Sequence, residues 1–310
     1  MYPAAHGING RMSETMLIFD RAAKRLHRAR AARDFAAHDF LHREIADRLL
    51  DRLGDIRREF PLALLQGATA DWLAPMLGGR FGIRQVYGMD MAPGHAQGGQ
   101  ALVADEDLLP LAEGRFDLAL CLLNLHWVND LPGALVQLRR ALKPDGLLLA
   151  ALFGGDTLTE LRQAWLAAES ELEGGARPHV SPMVATYDGA ALLQRAGFAL
   201  PVADAERITV TFSDPFALMR DLRGMGEANA LLGRRRGFTR RASLLRMAEI
   251  YVQRFGLPDG RIPATFEIVM LTGWSPDASQ QKPLRPGEAK LRLADALGTQ
   301  EHKAGEKAGG

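Results

Sequence analysis

Acidic residues and a glycine follow three successive apolar runs in this sequence, where they could bind a nucleotide-containing cofactor. Gly67 ends the first run, Asp90 the second, and Asp105 and Glu106 follow the third. Asp90 comes after Gly67 at about the 20-residue spacing at which nucleotide-binding folds place a carboxylate for ribose hydroxyls. An acid after the third run could accept a hydrogen bond from an adenine amino group. The alternative is that these acids begin turns or helices.

The loop after the first run is poor in glycine. Gly67 is followed by Ala68-Thr69-Ala70, and Leu65 stands at a position that is usually acidic in such loops. The side chains at these three positions would occupy the space through which a cofactor must approach the backbone. Loss of one hydrogen bond to a carboxylate weakens binding by about 10- to 100-fold. We therefore expect weak cofactor binding.

The fourth apolar run ends in polar and aromatic residues. Leu123 and Asn124 are followed by His126 and Trp127. At the edge of a parallel sheet, Leu123 would lie beside the cofactor, and His126 and Trp127 would lie at the mouth of the cleft. His126 and Trp127 are therefore candidate catalytic residues, with a purely structural histidine as the alternative.

Asp156 and Glu227 complete the candidate catalytic residues. Asp156, His126 and His179 have the residue types of a non-haem iron site, but nothing in their spacing brings them together, so we predict no metal site. The alternative for Asp156 is that it caps a helix together with Thr157. Glu227 lies in a glycine-flanked segment and could receive a cationic side chain such as arginine.

A layered α/β scaffold is needed to position these residues. Five short apolar runs between residues 61 and 153 alternate with helical stretches, which is typical of parallel strands covered on both faces. Two further strand candidates, 207–212 and 266–271, are separated by a long insert. The sequence thus predicts a doubly wound, mostly parallel, seven-stranded sheet in the order of class I methyltransferases.

Three segments are predicted around this sheet. Residues 1–60 form an N-terminal helical segment, residues 61–274 form the α/β domain, and residues 275–310 form a flexible tail. The insert at 214–255 is expected to be helical and to cover the substrate cleft. Its basic run at 233–241 is either a solvated loop or a docking face for an acidic protein or for membrane headgroups.

Composition excludes several classes of protein. The 310 residues include 38 basic and 37 acidic ones, so the net charge of +1 provides no electrostatic excess for nucleic acid. Cys121 is the sole cysteine, which excludes internal disulfides and multi-cysteine metal sites. No apolar stretch is long enough for a membrane span, and no secretory leader is evident. We expect a cytoplasmic protein with possible peripheral contact at the inner face of the membrane, or a mitochondrial matrix protein if the source is eukaryotic.

Several strings lie outside the general fold signature and carry a more specific resemblance. They cover about residues 18–275 and resemble the methyltransferase-like assembly-factor family of respiratory complex I. Among them are Phe19-Asp20-Arg21, Leu125-His126-Trp127, Phe153-Gly154-Gly155-Asp156, Gly224-Met225-Gly226-Glu227 and Gly273-Trp274.

This resemblance implies the fold of an S-adenosylmethionine enzyme and the hydroxylation of an arginine in a complex I subunit, which would be the protein substrate. The glycine-poor loop departs from the family pattern. Two alternatives stay open. One is an S-adenosylmethionine-dependent methyltransferase acting on a carrier-bound or small acid, as in biotin synthesis. The other is a catalytically silent binding protein or chaperone.

Overall fold

The protein is built around one seven-stranded β-sheet. The structure is a computed structural model that describes residues 17–67, 71–96, 100–183 and 186–281, except for the side chains of residues 186 and 187. The sheet and the helices named below belong to the compact unit Met1–Pro276. In the described ranges, no helix combines the length and the apolar character needed to cross a lipid bilayer.

The strands have the order β3-β2-β1-β4-β5-β7-β6. All neighbouring strands from β3 to β5 are parallel, and β7 runs antiparallel to both β5 and β6. The predicted mostly parallel, seven-stranded sheet is therefore confirmed. The strands are β1 (Leu62–Gln66), β2 (Gln85–Asp90), β3 (Gln100–Val103), β4 (Phe116–Leu122), β5 (Leu142–Phe153), β6 (Ala199–Phe212) and β7 (Ile262–Trp274).

Helices cover both faces of the sheet. One face packs against α2, α5 and α8, and the other packs against α4 and α6. Continuous apolar runs such as β1 and β4 are buried because both of their sides meet helices. The helices are α1 (Arg21–Ala31), α2 (Phe40–Gly54), α3 (Leu73–Leu77), α4 (Leu131–Ala141), α5 (Thr159–Glu173), α6 (Thr186–Arg195), α7 (Pro215–Gly224) and α8 (Arg241–Phe255).

Acidic caps begin three of these helices. Asp20, Asp130 and Asp214 each accept a hydrogen bond from a backbone N–H in the first turn of the helix that follows. Proline lies in the first turn of α4 and of α7, where its missing N–H costs nothing. These short-range signals fix where α1, α4 and α7 begin, and therefore which side chains face the sheet edge.

The predicted cap of the helix after β5 is wrong. Leu158, with a left-handed φ of 54°, precedes α5 and makes no side-chain cap. The Thr157 hydroxyl instead donates to the Glu267 carbonyl at 3.0 Å, and the Asp156 carboxylate pairs with Arg207. Pairing with β6 and β7 therefore replaces local capping at this turn, and a sequence reading of neighbouring residues could not detect it.

His42 is an unusual core residue of α2. Its side chain is fully buried, and neither ring nitrogen has a hydrogen-bond partner in the part of the chain that the structure describes. Its ring meets the Phe35 ring edge-on, with centroids 4.9 Å apart. Burial lowers the pKa of His42 to about 3, so the ring is neutral at pH 7.

The acid sensitivity of folding should depend on His42. In the unfolded chain this ring gains a proton near pH 6.5, whereas the folded protein resists protonation down to about pH 3. Stability must therefore fall as the pH falls through this window. We expect His42→Leu to reduce that loss between pH 6.5 and pH 4 by on the order of 1–3 kcal/mol, measured by urea unfolding.

Leu41→Met on the same helix is the matched control, because it alters the buried surface of α2 without removing a titratable group. It should leave the pH dependence unchanged. Some acid sensitivity should remain in His42→Leu, because burial also lowers the pKa of His95, to about 4. Equal pH dependence in His42→Leu and the unaltered protein would contradict the assignment.

Candidate functional site

A stripe of positive charge on α1 covers the carboxyl ends of the parallel strands. Arg21, Lys24 and Arg28 are spaced by three and four residues, so they lie on one face of the helix. Lys24 and Arg28 are only 2% and 1% exposed, which is rare for charged residues. Each of the three meets a different acidic partner, so α1 neutralises the acidic edge of the sheet.

Arg28 pairs with Asp90 at the end of β2. Both side chains are 1% exposed, and the Asp90 carboxylate also accepts a hydrogen bond from the Ala92 backbone N–H at 2.8 Å. Burial alone would raise the pKa of Asp90, but the Arg28 charge holds it below its usual value. Asp90 is therefore ionised, forms the predicted turn and has a buried cation as its partner.

Arg21 binds the acids that follow β3. It pairs with Asp105 and Glu106, its Nε lies 3.3 Å from Asp107, and its Nη1 donates to the Trp127 carbonyl at 2.9 Å. These acids lie in a turn and do not begin a helix. Burial raises the pKa of Glu106 despite the nearby guanidinium. Arg21 therefore joins the ends of β3 and β4.

Lys24 pairs with Glu227 from the segment after α7. Its Nζ lies 2.9 Å from Glu227 Oε1 and 4.3 Å from the centroid of the Trp127 ring. Glu227 Oε2 accepts hydrogen bonds from the indole N–H of Trp127 at 2.6 Å and from His126 at 2.9 Å. Three of the predicted candidates therefore lie in direct contact.

The charges in this group are strongly coupled. Burial lowers the pKa of Lys24 to about 8 and also lowers the pKa of His126. Burial alone would raise the pKa of Glu227, but Lys24 and His126 hold it well below its usual range. At pH 7 the arrangement is thus a carboxylate, an ammonium and a neutral imidazole, which makes His126 a positioning residue for Glu227.

A cavity of about 280 Å³ lies beside Glu227. Its walls are mostly apolar, and the Trp165 and His179 rings are stacked with centroids 3.9 Å apart. The insert contributes Met219 and Arg223 to the lining. Its other aromatic walls are Trp127, Phe153 and Phe266, and its other polar groups include Thr157, Ser181, Asn229 and Thr239.

Gly67 and Leu123 lie where β1 and β4 end side by side. Gly67 has a φ of +101°, and a Cβ atom there would meet the Leu122 carbonyl oxygen at 2.0 Å. Leu123 has a φ of 49°, which is uncommon for a non-glycine residue and is often found at functional sites. Gly67 is thus required by the neighbouring strand, whatever binds at this edge. Ala68–Ala70 lie outside the described residues.

Buried polar atoms near the ends of β1, β2 and β4 lack partners. Arg28 Nη1, His95 Nε2 and Asn124 Oδ1 have no hydrogen-bond partner within the described ranges. An unsatisfied buried group costs about 1–3 kcal/mol, which a bound polar molecule would recover. These three groups fit a ligand that carries hydroxyl and charged groups.

The three candidate metal ligands do not form a site. His126 binds Glu227, His179 binds Glu169 at 2.7 Å, and Asp156 pairs with Arg207 at the surface. Among the described residues, no group of three histidine, cysteine or carboxylate side chains could hold a metal ion. The chemistry-bearing cluster is therefore Glu227 with His126 and Trp127, and Asp156 is not part of it.

The role of α1 as a cover for the acidic edge of the sheet was not predicted from the sequence. The prediction of an N-terminal helical segment over residues 1–60 gives its basic residues no partners. The available signal was the spacing of Arg21, Lys24 and Arg28. This spacing places three basic residues on the helix face that usually carries apolar core residues. Trp165 was also missed, because only the folded chain brings it against His179.

The sheet order and the ligand-sized cavity at its carboxyl edge define a protein of the methyltransferase fold. A family model described as a methyltransferase domain matches residues 62–150. A solved structure from Bacillus halodurans, named as a methyltransferase, aligns with a TM-score of 0.50 at 14% identity, covering 75% of this chain and 99% of that one. This likeness supports the fold alone.

Sequence comparison identifies the family within this class. The mitochondrial arginine-hydroxylase NDUFAF5 of Danio rerio is 39% identical, over 90% of this chain and 89% of its own length. A malonyl-[acyl-carrier protein] O-methyltransferase of Gallionella capsiferriformans is 33% identical, over 84% of this chain and 92% of its own length. The chain belongs to the family of the arginine-hydroxylase NDUFAF5, which confirms the resemblance found in the sequence.

Asp90→Asn should strongly destabilise the fold, because it leaves the Arg28 guanidinium buried without a counter-charge. We expect a loss of about 3–5 kcal/mol in the free energy of urea unfolding. Asp156→Asn is the matched control, because its partner Arg207 is exposed, and should cost about 0–1 kcal/mol.

A double variant separates charge from packing at the same position. Arg28→Met combined with Asp90→Leu removes both charges and keeps apolar volume, so it should recover most of the stability lost in Asp90→Asn. Equal losses in Asp90→Asn and Asp156→Asn would contradict a structural role for the buried pair.

Proposed function

We propose that this protein hydroxylates an arginine side chain of a respiratory complex I subunit during assembly. The observation that carries this proposal is the buried, ionised Glu227 beside an aromatic-walled cavity, in a chain of the arginine-hydroxylase family. The substrate class is inferred from the family, and the cavity supplies a physical reason for it.

The cavity has the size and lining expected of a site for one side chain. Its volume of about 280 Å³ lies just below the roughly 300–1,000 Å³ range of small-molecule sites. A guanidinium group is planar, weakly hydrated and stacks on aromatic faces. The stacked Trp165 and His179 rings and the Phe153 and Phe266 walls offer such faces. The cavity therefore suits the end of an arginine side chain.

Glu227 can still accept a hydrogen bond. A carboxylate offers about four acceptor positions, and Lys24, His126 and Trp127 use three of them. Its low pKa keeps it charged, and burial makes its attraction for a cation stronger than in water. We infer that Glu227 binds the incoming guanidinium and orients it.

Hydroxylation breaks a C–H bond and forms a C–OH group with one oxygen atom from dioxygen, while the second oxygen atom leaves as water after taking two electrons and two protons from an external reductant. The residues of this chain provide binding, orientation and exclusion of water. Apolar walls exclude solvent, Glu227 fixes the guanidinium, and His126 and Trp127 fix Glu227. Lys24 balances the carboxylate charge before the substrate arrives.

S-adenosylmethionine is the cofactor that the fold implies. Asp90, Asn124 and Arg28 would hold it, because the buried Asp90 carboxylate and the unsatisfied atoms of the other two match its hydroxyl and charged groups. When bound, it supplies an electrophilic methyl group on a sulfonium centre. Arg28 already binds the Asp90 carboxylate, so the cofactor must share or displace this contact. That competition and the glycine-poor loop support weak binding.

Methylation of a carrier-bound acid is the second candidate function. It is favoured by the similarity to the malonyl-[acyl-carrier protein] O-methyltransferase. A carboxylate substrate would have to approach Glu227, and like charges repel, so the cavity favours a cation. For the site of action we propose the mitochondrial matrix in a eukaryote, as in the mitochondrial relative, or the cytoplasmic side of the membrane in a bacterium.

Glu227→Gln should reduce arginine hydroxylation by about 10- to 100-fold, because it removes a hydrogen bond between charged groups. Mass spectrometry of the subunit, scored as the gain of one oxygen on the target arginine, measures this in a deletion strain complemented with each variant. Glu249→Gln, at an exposed glutamate, is the matched control and should keep full activity.

Glu227→Gln also leaves the buried Lys24 without its partner, so folding must be controlled. Lys24→Met combined with Glu227→Gln removes both charges and should fold while remaining inactive. Unchanged hydroxylation in the deletion strain itself would overturn the proposed function, and full activity in the folded double variant would overturn the role of Glu227.

Calorimetric titration with S-adenosylmethionine tests the cofactor proposal. We expect weak binding, with a Kd on the order of 100 μM. Asn124→Ala should weaken binding by about 2- to 10-fold, because a neutral hydrogen bond is lost. Gln163→Ala removes an exposed amide and should have no effect.

The same preparations separate the alternatives. Absence of binding at millimolar cofactor would contradict the cofactor proposal and favour a binding protein or chaperone. Methyl transfer to a malonyl-loaded carrier protein, with no oxidised arginine, would establish the second candidate.

A further inference from the structure

A second cavity, of about 560 Å³, lies where α1 and α7 end. Three arginines line it: Arg30 from the last turn of α1, and Arg220 and Arg223 from the last two turns of α7. Arg220 and Arg223 are three residues apart, so they lie on the same face of α7. We call this cavity the arginine cleft.

The arginine cleft carries unneutralised positive charge. All three arginines are exposed, and within the described ranges none of them has a side-chain hydrogen bond or ion pair. Asp34 is the acidic residue of the described lining. His38, which also lines the cleft, is bound to Asp221 at 2.7 Å. The cleft therefore presents three guanidinium groups against one carboxylate.

The arginine cleft adjoins the Glu227 cavity. Arg223 and Ala228 line both. A chain bound at the Glu227 cavity could therefore continue into the arginine cleft, since each further residue of an extended peptide reaches about 3.3 Å. The Glu227 cavity attracts a cation, and the arginine cleft attracts anions.

We propose that the arginine cleft binds acidic residues that flank the target side chain in the protein substrate. This inference rests on the proposed function, because it takes the substrate to be a protein with a cationic target. Guanidinium groups bind carboxylates through two parallel hydrogen bonds, which fix direction as well as distance. Because the Glu227 cavity and the arginine cleft carry opposite charges, they would fix which substrate residue enters each site. They would also exclude substrate segments that carry only basic residues.

Two peptides test the arginine cleft. They share one target arginine, and in one of them the flanking Asp and Glu residues are replaced by Asn and Gln. Fluorescence anisotropy with the full-length protein gives both Kd values. We expect the acidic peptide to bind about 3- to 10-fold more tightly, with an advantage that shrinks as salt is added.

The combined variant Arg30→Gln and Arg220→Gln should abolish the advantage of the acidic peptide. Both residues are exposed, so the fold should be kept. Arg57→Gln is the matched control, because Arg57 is an exposed arginine outside the cleft lining, and it should preserve the advantage. Equal binding of the two peptides, or an advantage that survives in the double variant, would overturn the inference.

Further outcomes separate this inference from its alternatives. A double variant that loses thermal stability but binds both peptides like the unaltered protein would assign the arginines to the helix ends and overturn the inference. Anionic vesicles or RNA that bind through these arginines in place of the peptide would also overturn it. Tight binding of the acidic peptide without modification of either peptide would contradict the proposed function and leave the arginine cleft supported.

Discussion

The structure depends on the neutralisation of buried carboxylates by one face of α1. A parallel sheet gathers the acids that follow its strands at one edge, and burying an unpaired carboxylate there is prohibitively costly. Arg28 and Lys24 enter that edge and pair with Asp90 and Glu227, while Arg21 binds the acids after β3. The N-terminal helix is thus part of the site. Because the Arg28–Asp90 and Lys24–Glu227 pairs are buried, removal of either partner affects folding before it affects chemistry.

This constraint divides the edge of the sheet into two regions with different chemistry. Near β1 and β2, Arg28 covers Asp90, and a cofactor must compete with an existing ion pair. Near β5 and β7, Glu227 is held charged beside an apolar cavity, where we propose that it receives a cation. The insert at 214–255 connects the second region to the protein surface, because its residue Arg223 lines both the Glu227 cavity and the arginine cleft. A substrate with alternating charge would match this order.

Family membership and local geometry give complementary information. Relatives of this chain are named as arginine hydroxylases, and the Glu227 cavity supplies a physical reason for the proposal that a guanidinium enters it. The same comparison includes a methyltransferase for a carrier-bound acid. A shared fold therefore leaves the reaction open, and the charge beside the cavity is what distinguishes the two candidates.

The sequence by itself determined the sheet, because apolar runs and helix caps are local signals. Each of the seven predicted strands overlaps a strand of the structure, although β6 and β7 extend beyond the predicted 207–212 and 266–271, and the local pair Asp130 and Pro132 begins α4. The sequence also indicated Glu227, His126 and Trp127 as candidate catalytic residues, from a family resemblance and from the position of His126 and Trp127 at the end of a predicted strand. Only the tertiary structure decided that these three touch, that Asp156 pairs with Arg207, and that α1 covers Asp90. The reason is physical: ion pairs between residues 51 to 203 positions apart leave no periodic pattern along the chain, and the sequence does not distinguish a buried basic residue from an exposed one.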